Sequence, residues 1–110
     1  NSEIRYVIII DDASHILKDQ IITLFMCFKK LNSKGIFVIE ELNFPDTRED
    51  MRLNFSKPTL RTILYDIKNK KNFSSKYIKE EDKNYFLKNF QSIEIYMGQK
   101  GNDIAFITKK

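Results

Sequence analysis

A chain of 110 residues, 42% hydrophobic and 31% charged with only 3 Gly and 2 Pro, has room for a single ordered domain and excludes a disordered tail. No apolar run approaches the roughly 20 residues that span a bilayer. The formal charge of +4 gathers partly at Lys68, Lys70, Lys71, Lys109 and Lys110. Lysines in a last helical turn or on a tail generally face solvent as dipole partners, so no nucleic-acid partner is expected.

The first element is read from Tyr6 to Ile10, a nearly continuous β-branched run that suits a strand buried on both faces, as in a parallel sheet. Leu17, Ile21, Leu24, Phe25, Phe28 and Leu31 then recur at three and four, while Lys18, Asp19, Lys29 and Lys30 fall off that stripe, which predicts an amphipathic helix. Asn32-Ser33-Lys34-Gly35 is expected to end it, with glycine supplying a positive φ. Ile36 to Ile39 repeats the buried-strand composition, completing a βαβ unit with parallel strands. The single Cys27 excludes an internal disulfide and predicts a buried thiol in a reducing, cytoplasmic setting.

Leu42 to Lys57 carries Pro45 and many charges without periodicity and reads as a long excursion at one end of the sheet. Its Asn43, Asp46, Arg48 and Arg52 are candidates to meet a polar substrate, although side chains of this kind on a loop are usually just solvated. A second helix is predicted with Pro58 in its first turn and Leu60, Ile63, Leu64 and Ile67 on its apolar face. Glu80, Glu81 and Asp82 supply the acidic start of a third, whose Tyr85, Phe86 and Phe90 turn inward. Ser92 to Met97 and Asp103 to Thr108 follow as a hairpin across a glycine-bearing turn. The expected fold is therefore α/β, with two parallel strands plus a C-terminal antiparallel hairpin and helices packed on the sheet.

Two consecutive strands end in acid: Asp11-Asp12 and Glu40-Glu41. Ligands collect outside the carboxyl ends of parallel strands, and neighbouring strands lie about 4.8 Å apart, so the two pairs are expected at one rim. Clustered carboxylates repel unless a cation lies between them, and an oxygen-only set suits a hard ion such as Mg²⁺. His15, the one histidine in the chain, follows three residues after Asp12 and could take a proton from a metal-acidified hydroxyl. Against this stands a plainer account in which Asp12 or Ser14 caps the following helix and Glu40-Glu41 faces water. Caps outnumber metal sites; two acidic pairs beside the one histidine bring the two accounts level.

At "IIIDDASH", the amphipathic helix, "KGIFVIEEL" and the closing "SIEIYMGQKGNDIAFITKK", the sequence resembles the C-terminal half of a class I S-adenosylmethionine-dependent methyltransferase. More narrowly it resembles the metal-dependent sugar O-methyltransferases of the macrocin and mycinamicin type, over nearly the whole chain. The resemblance implies a partial Rossmann-like sheet, Mg²⁺ held by Asp12, Glu40 and Glu41, and His15 as general base. It implies further that the metal grips a vicinal diol of a sugar-like acceptor. Ala13 stands where that family commonly has Gly, and Glu41 where it commonly has Asp, one methylene shorter.

The glycine-rich loop and the strands that hold S-adenosylmethionine in that family have no counterpart here, and the chain opens on Asn1-Ser2-Glu3 rather than methionine. A piece of a longer polypeptide is expected, inactive alone. The first strand corresponds to the family's fourth, which is central; without its neighbour, Tyr6 to Asp11 becomes an apolar edge. That edge is expected to pair with a second copy, giving a homodimer, or with the missing half. Two alternatives stand beside this reading. "YVIIIDD" also resembles the start of a phosphoacceptor receiver domain, though the next buried strand here ends in glutamates. The chain could instead be a methyltransferase remnant without turnover.

Overall fold

The computed structural model describes residues 6–11, 17–42, 58–98 and 103–110. In chain order they form β1 (Tyr6–Asp11), α1 (Leu17–Cys27) running into a 3-10 turn (Phe28–Lys30), β2 (Leu31–Ile39), α2 (Leu60–Lys68), α3 (Glu80–Asn89), β3 (Phe90–Met97) and β4 (Asp103–Lys109). The four strands make one mixed sheet in the order β1-β2-β4-β3. β1 and β2 run parallel, with Ile8 opposite Ile36 and Asp11 opposite Ile39. β4 lies antiparallel to both of its neighbours, with Ile107 opposite Phe37 on one side and Ile93 on the other. The expected α/β architecture, with a parallel pair and a C-terminal hairpin, is present in one sheet.

The helices cover a single face of that sheet. Ile21, Leu24, Phe25 and Phe28 from α1 and its 3-10 turn, Leu60, Ile63, Leu64 and Ile67 from α2, and Phe86 from α3 pack with Phe37, Ile39, Ile93, Ala105 and Ile107 in one core. Phe86 is its hub: its ring centroid lies 4.9 Å from Phe25, 4.7 Å from Phe28 and 5.5 Å from Phe90. Aromatic pairs at these separations add about 0.5–1.5 kcal/mol each beyond burial alone. α2 is capped by Thr59, whose hydroxyl accepts from the Thr62 amide, so Pro58 precedes the helix instead of opening its first turn. Phe90 opens β3, where it stacks on Phe86 from outside the helix.

Three further expectations need correction. β1 is not buried on both faces: Val7, Ile8 and Ile10 are 65%, 56% and 60% exposed, because among the described residues β1 has one neighbouring strand and the helices lie on one side only. α1 stops at Cys27, and Leu31 already belongs to β2. Phe28 and Leu31 are both buried, so helical spacing continues across the boundary where the backbone changes state. The positive φ near this junction belongs to Lys34, at 70°, and not to Gly35. Glycine is needed at 35 for space: a Cβ there would stand 2.8 Å from the Asn32 carbonyl oxygen and 3.1 Å from that of Val7. This tight crossing coincides with the register shift between Tyr6 and Ile8.

Two side chains assigned to solvent or core by pattern lie elsewhere. Lys109 is buried, its Nζ donating to the Leu31 carbonyl at 2.9 Å and to the Tyr85 hydroxyl at 2.6 Å, over the Tyr85 ring. Cys27 is half-buried and lines a shallow groove with Ile8, Ile9 and Lys30. Among the described residues no helix is long and apolar enough to cross a membrane.

Candidate functional site

The candidate site is the rim where β1 and β2 end and β4 begins. Parallel pairing brings the two strand ends level: the Glu40 amide donates to the Asp11 carbonyl at 3.2 Å. Because β4 runs antiparallel to β2, its first residue arrives at the same rim, and the Leu42 amide donates to the Asp103 carbonyl at 2.9 Å. Asp11, Glu40, Glu41 and Asp103 therefore lie along one end of the sheet.

Strand alternation divides these acids between faces. Asp11 pairs with Ile39 on the helix-covered side and is buried, as is Asp103, which heads the inward row Ala105, Ile107 and Lys109. Glu40 follows Val38 onto the opposite side and lines a groove there with Ile10 and Val38. Glu41 is half-buried and has φ 54°, a left-handed conformation that costs a β-carbon-bearing residue free energy and turns the chain out of the sheet.

Asp103 escaped the sequence reading, as did its partner. Arg61, on the first turn of α2, donates from Nε to Asp103 Oδ2 at 2.8 Å, and its guanidinium lies 5.0 Å from the Tyr65 ring centroid. A buried carboxylate at the rim thus has a cation beside it. The signal available in the sequence was the hairpin itself, which must return β4 to the end from which β2 departs.

Of the candidate metal ligands, Glu40 and Glu41 are at the rim, while Asp12 and the candidate base His15 lie outside the described residues, as do Asn43, Asp46, Arg48 and Arg52. Among the described residues no group of three or more His, Cys, Asp or Glu side chains is close enough to share a metal ion. Glu40 and Glu41 can contribute hard oxygen donors at this rim. Neither a scan against protein-family models nor a search of curated proteins found a match to this chain.

Proposed function

We propose that this chain is the metal- and acceptor-binding portion of a Mg²⁺-dependent O-methyltransferase acting on a hydroxyl of a sugar or similar small molecule. S-adenosylmethionine would be held by a glycine-rich portion supplied by other polypeptide, so the chain by itself would not turn over. The supporting observation is the level ending of two parallel strands in acid, fixed by the Glu40 amide on the Asp11 carbonyl. In this reading Asp12, Glu40 and Glu41 hold the cation, which supplies charge to acidify the acceptor hydroxyl. His15 takes the hydroxyl proton, and the half-buried carboxylates orient the acceptor at the rim. The exposed β1 edge pairs with the missing portion or with a second copy. A reducing, cytoplasmic setting suits the single thiol of Cys27.

The oxygen-only donor chemistry of Glu40 and Glu41 fits a hard cation. A receiver-like domain fits less well, because doubly wound receiver sheets are parallel and β4 here is antiparallel to both neighbours. A remnant would retain this fold and the rim acidity and lack turnover; an upstream reading frame encoding a glycine-rich cofactor loop would favour the enzyme portion over it. Calorimetric titration with Mg²⁺ tests the site itself: saturable binding that weakens at least about tenfold in Asp12→Ala supports the proposal. No saturable heat at millimolar Mg²⁺, or equal binding by Asp12→Ala, overturns it.

A further inference from the structure

We infer that the outer edge of β3 is a self-pairing surface for a second copy of this chain, held shut by Lys68. The inference rests on the hydrogen bonding of the sheet and is independent of the metal. The Leu42 amide donates to the Asp103 carbonyl, so Asp103, and by alternation Ala105 and Ile107, turn their backbone groups toward β2. Ile104, Phe106 and Thr108 then turn theirs toward β3, where Tyr96, Glu94 and Ser92 stand opposite them and complete the ladder. The alternate residues Ile93, Ile95 and Met97 direct N–H and C=O outward, and among the described residues no strand lies beyond them. Open edges of this kind pair with other strands unless something covers them.

The cover is a single side chain. Lys68, in the last turn of α2, is exposed, and its Nζ donates to the Ile93 carbonyl at 2.5 Å, 25 residues away in the chain. An ammonium seated there takes the place of an incoming amide and sets a charge at the edge. Behind this cap the edge is self-complementary. In an antiparallel pair about a two-fold axis at Ile95, Ile95 meets Ile95 of the second copy and Ile93 meets Met97 of the second copy. All three side chains alternate onto the helix-covered side, where Ile93 is buried, Ile95 half-buried and Met97 78% exposed, so pairing covers apolar surface that now stands open. Glu94 and Tyr96 lie on the other face, where their hydrogen bond to each other is left in place. The bond from the Met97 amide to the Ile93 carbonyl occurs twice about the axis, so both Lys68 side chains must leave before the pair can close.

The test compares the full chain with Lys68→Met, which keeps the length of the side chain but removes its charge and donors, and with Lys68→Arg, which keeps both. Circular dichroism checks that each is folded. In sedimentation equilibrium Lys68→Met should dimerise at least about tenfold more tightly than the parent chain or Lys68→Arg. Amide exchange identifies the surface: Ile93, Ile95 and Met97 should gain protection in Lys68→Met alone. Adding Met97→Lys, at an exposed position, should weaken that dimer by setting a cation against Ile93 of the second copy. Equal association of the parent and Lys68→Met, protection gained in β1 instead of β3, or a dimer that Met97→Lys leaves unchanged would overturn the inference.

Discussion

Arg61 Nε donates to Asp103 Oδ2 at 2.8 Å, tying the first turn of α2 to the first residue of β4 at the rim where β1 and β2 end. The Asp103 side chain is 6% exposed and that of Arg61 34%, so the carboxylate depends on the pair more than the guanidinium does. Arg61→Met leaves a buried carboxylate with reduced compensation. It should cost about 2 kcal/mol in urea unfolding, below the full cost of breaking a buried pair because solvent reaches the arginine. The double variant Arg61→Met/Asp103→Asn should be more stable than the sum of the two single losses predicts, by about 1 kcal/mol of coupling. Strict additivity would show that the pair contributes nothing as a pair.

Gly35 is a packing requirement at the β1–β2 junction. A Cβ at 2.8 Å from the Asn32 carbonyl oxygen and 3.1 Å from that of Val7 meets backbone on two sides, which cannot yield as a flexible side chain would. Gly35→Ala should therefore lower stability by about 1–3 kcal/mol, against the usual gain from replacing glycine where the backbone allows it. Amide exchange should locate the damage, with protection lost first in β1 and the start of β2. An unchanged or raised melting temperature would mean that the crossing is looser than it stands here.

What the sequence disclosed and what it hid follow from the range of the interactions. The parallel pair, the three helices and the hairpin come from local patterning: Ile36 to Ile39, the stripe Leu60, Ile63, Leu64 and Ile67, and the alternation in β4 each read correctly from neighbouring residues. The end of α1 did not, because Phe28 and Leu31 satisfy helical spacing whether or not the backbone between them is helical. Lys109 was assigned to solvent by its charge, yet its acceptors are Leu31 and Tyr85, distant in the chain. Arg61 and Asp103 are 42 residues apart and meet only because the hairpin returns to the rim. At the candidate site the acidic strand ends were legible; the division of Asp11 and Glu40 between opposite faces required the register.

Lys29 and Asp82 form an ion pair between the 3-10 turn after α1 and the first turn of α3. The hydrogen bond to Asp82, aided by the charges of Asp82 and Glu81, holds the Lys29 ammonium above its ordinary value of 10.5 despite opposition from desolvation. A group whose folded value is raised contributes stability that is complete below its unfolded value and is lost as pH climbs through the folded one. Tyr96, raised above 10.0 chiefly by its hydrogen bond to Glu94, acts with the same sign. Urea midpoints should therefore fall as pH rises beyond about 10. In Lys29→Met/Tyr96→Phe that alkaline slope should be shallower, while the profile near neutrality keeps its shape. An identical slope in the double variant would remove both groups as its source.

Gln20 is 1% exposed on α1, beside the core residues Ile21 and Leu24, and among the described residues neither its amide nitrogen nor its amide oxygen has a hydrogen-bond partner. A buried amide without partners loses its water and gains nothing in return, at a cost of about 1–3 kcal/mol by comparison with mutational data. Met has nearly the same length and shape and carries no strong polar atom, so Gln20→Met should fill the same space without that penalty. The variant should be more stable by about 1 kcal/mol, a rise of roughly 4–8 °C in melting temperature for a domain of this size. Gln20→Ala separates polarity from packing: it removes the amide too but opens a cavity, and should be less stable than Gln20→Met. If Gln20→Met instead lost stability, the amide would have to be bonded in solution.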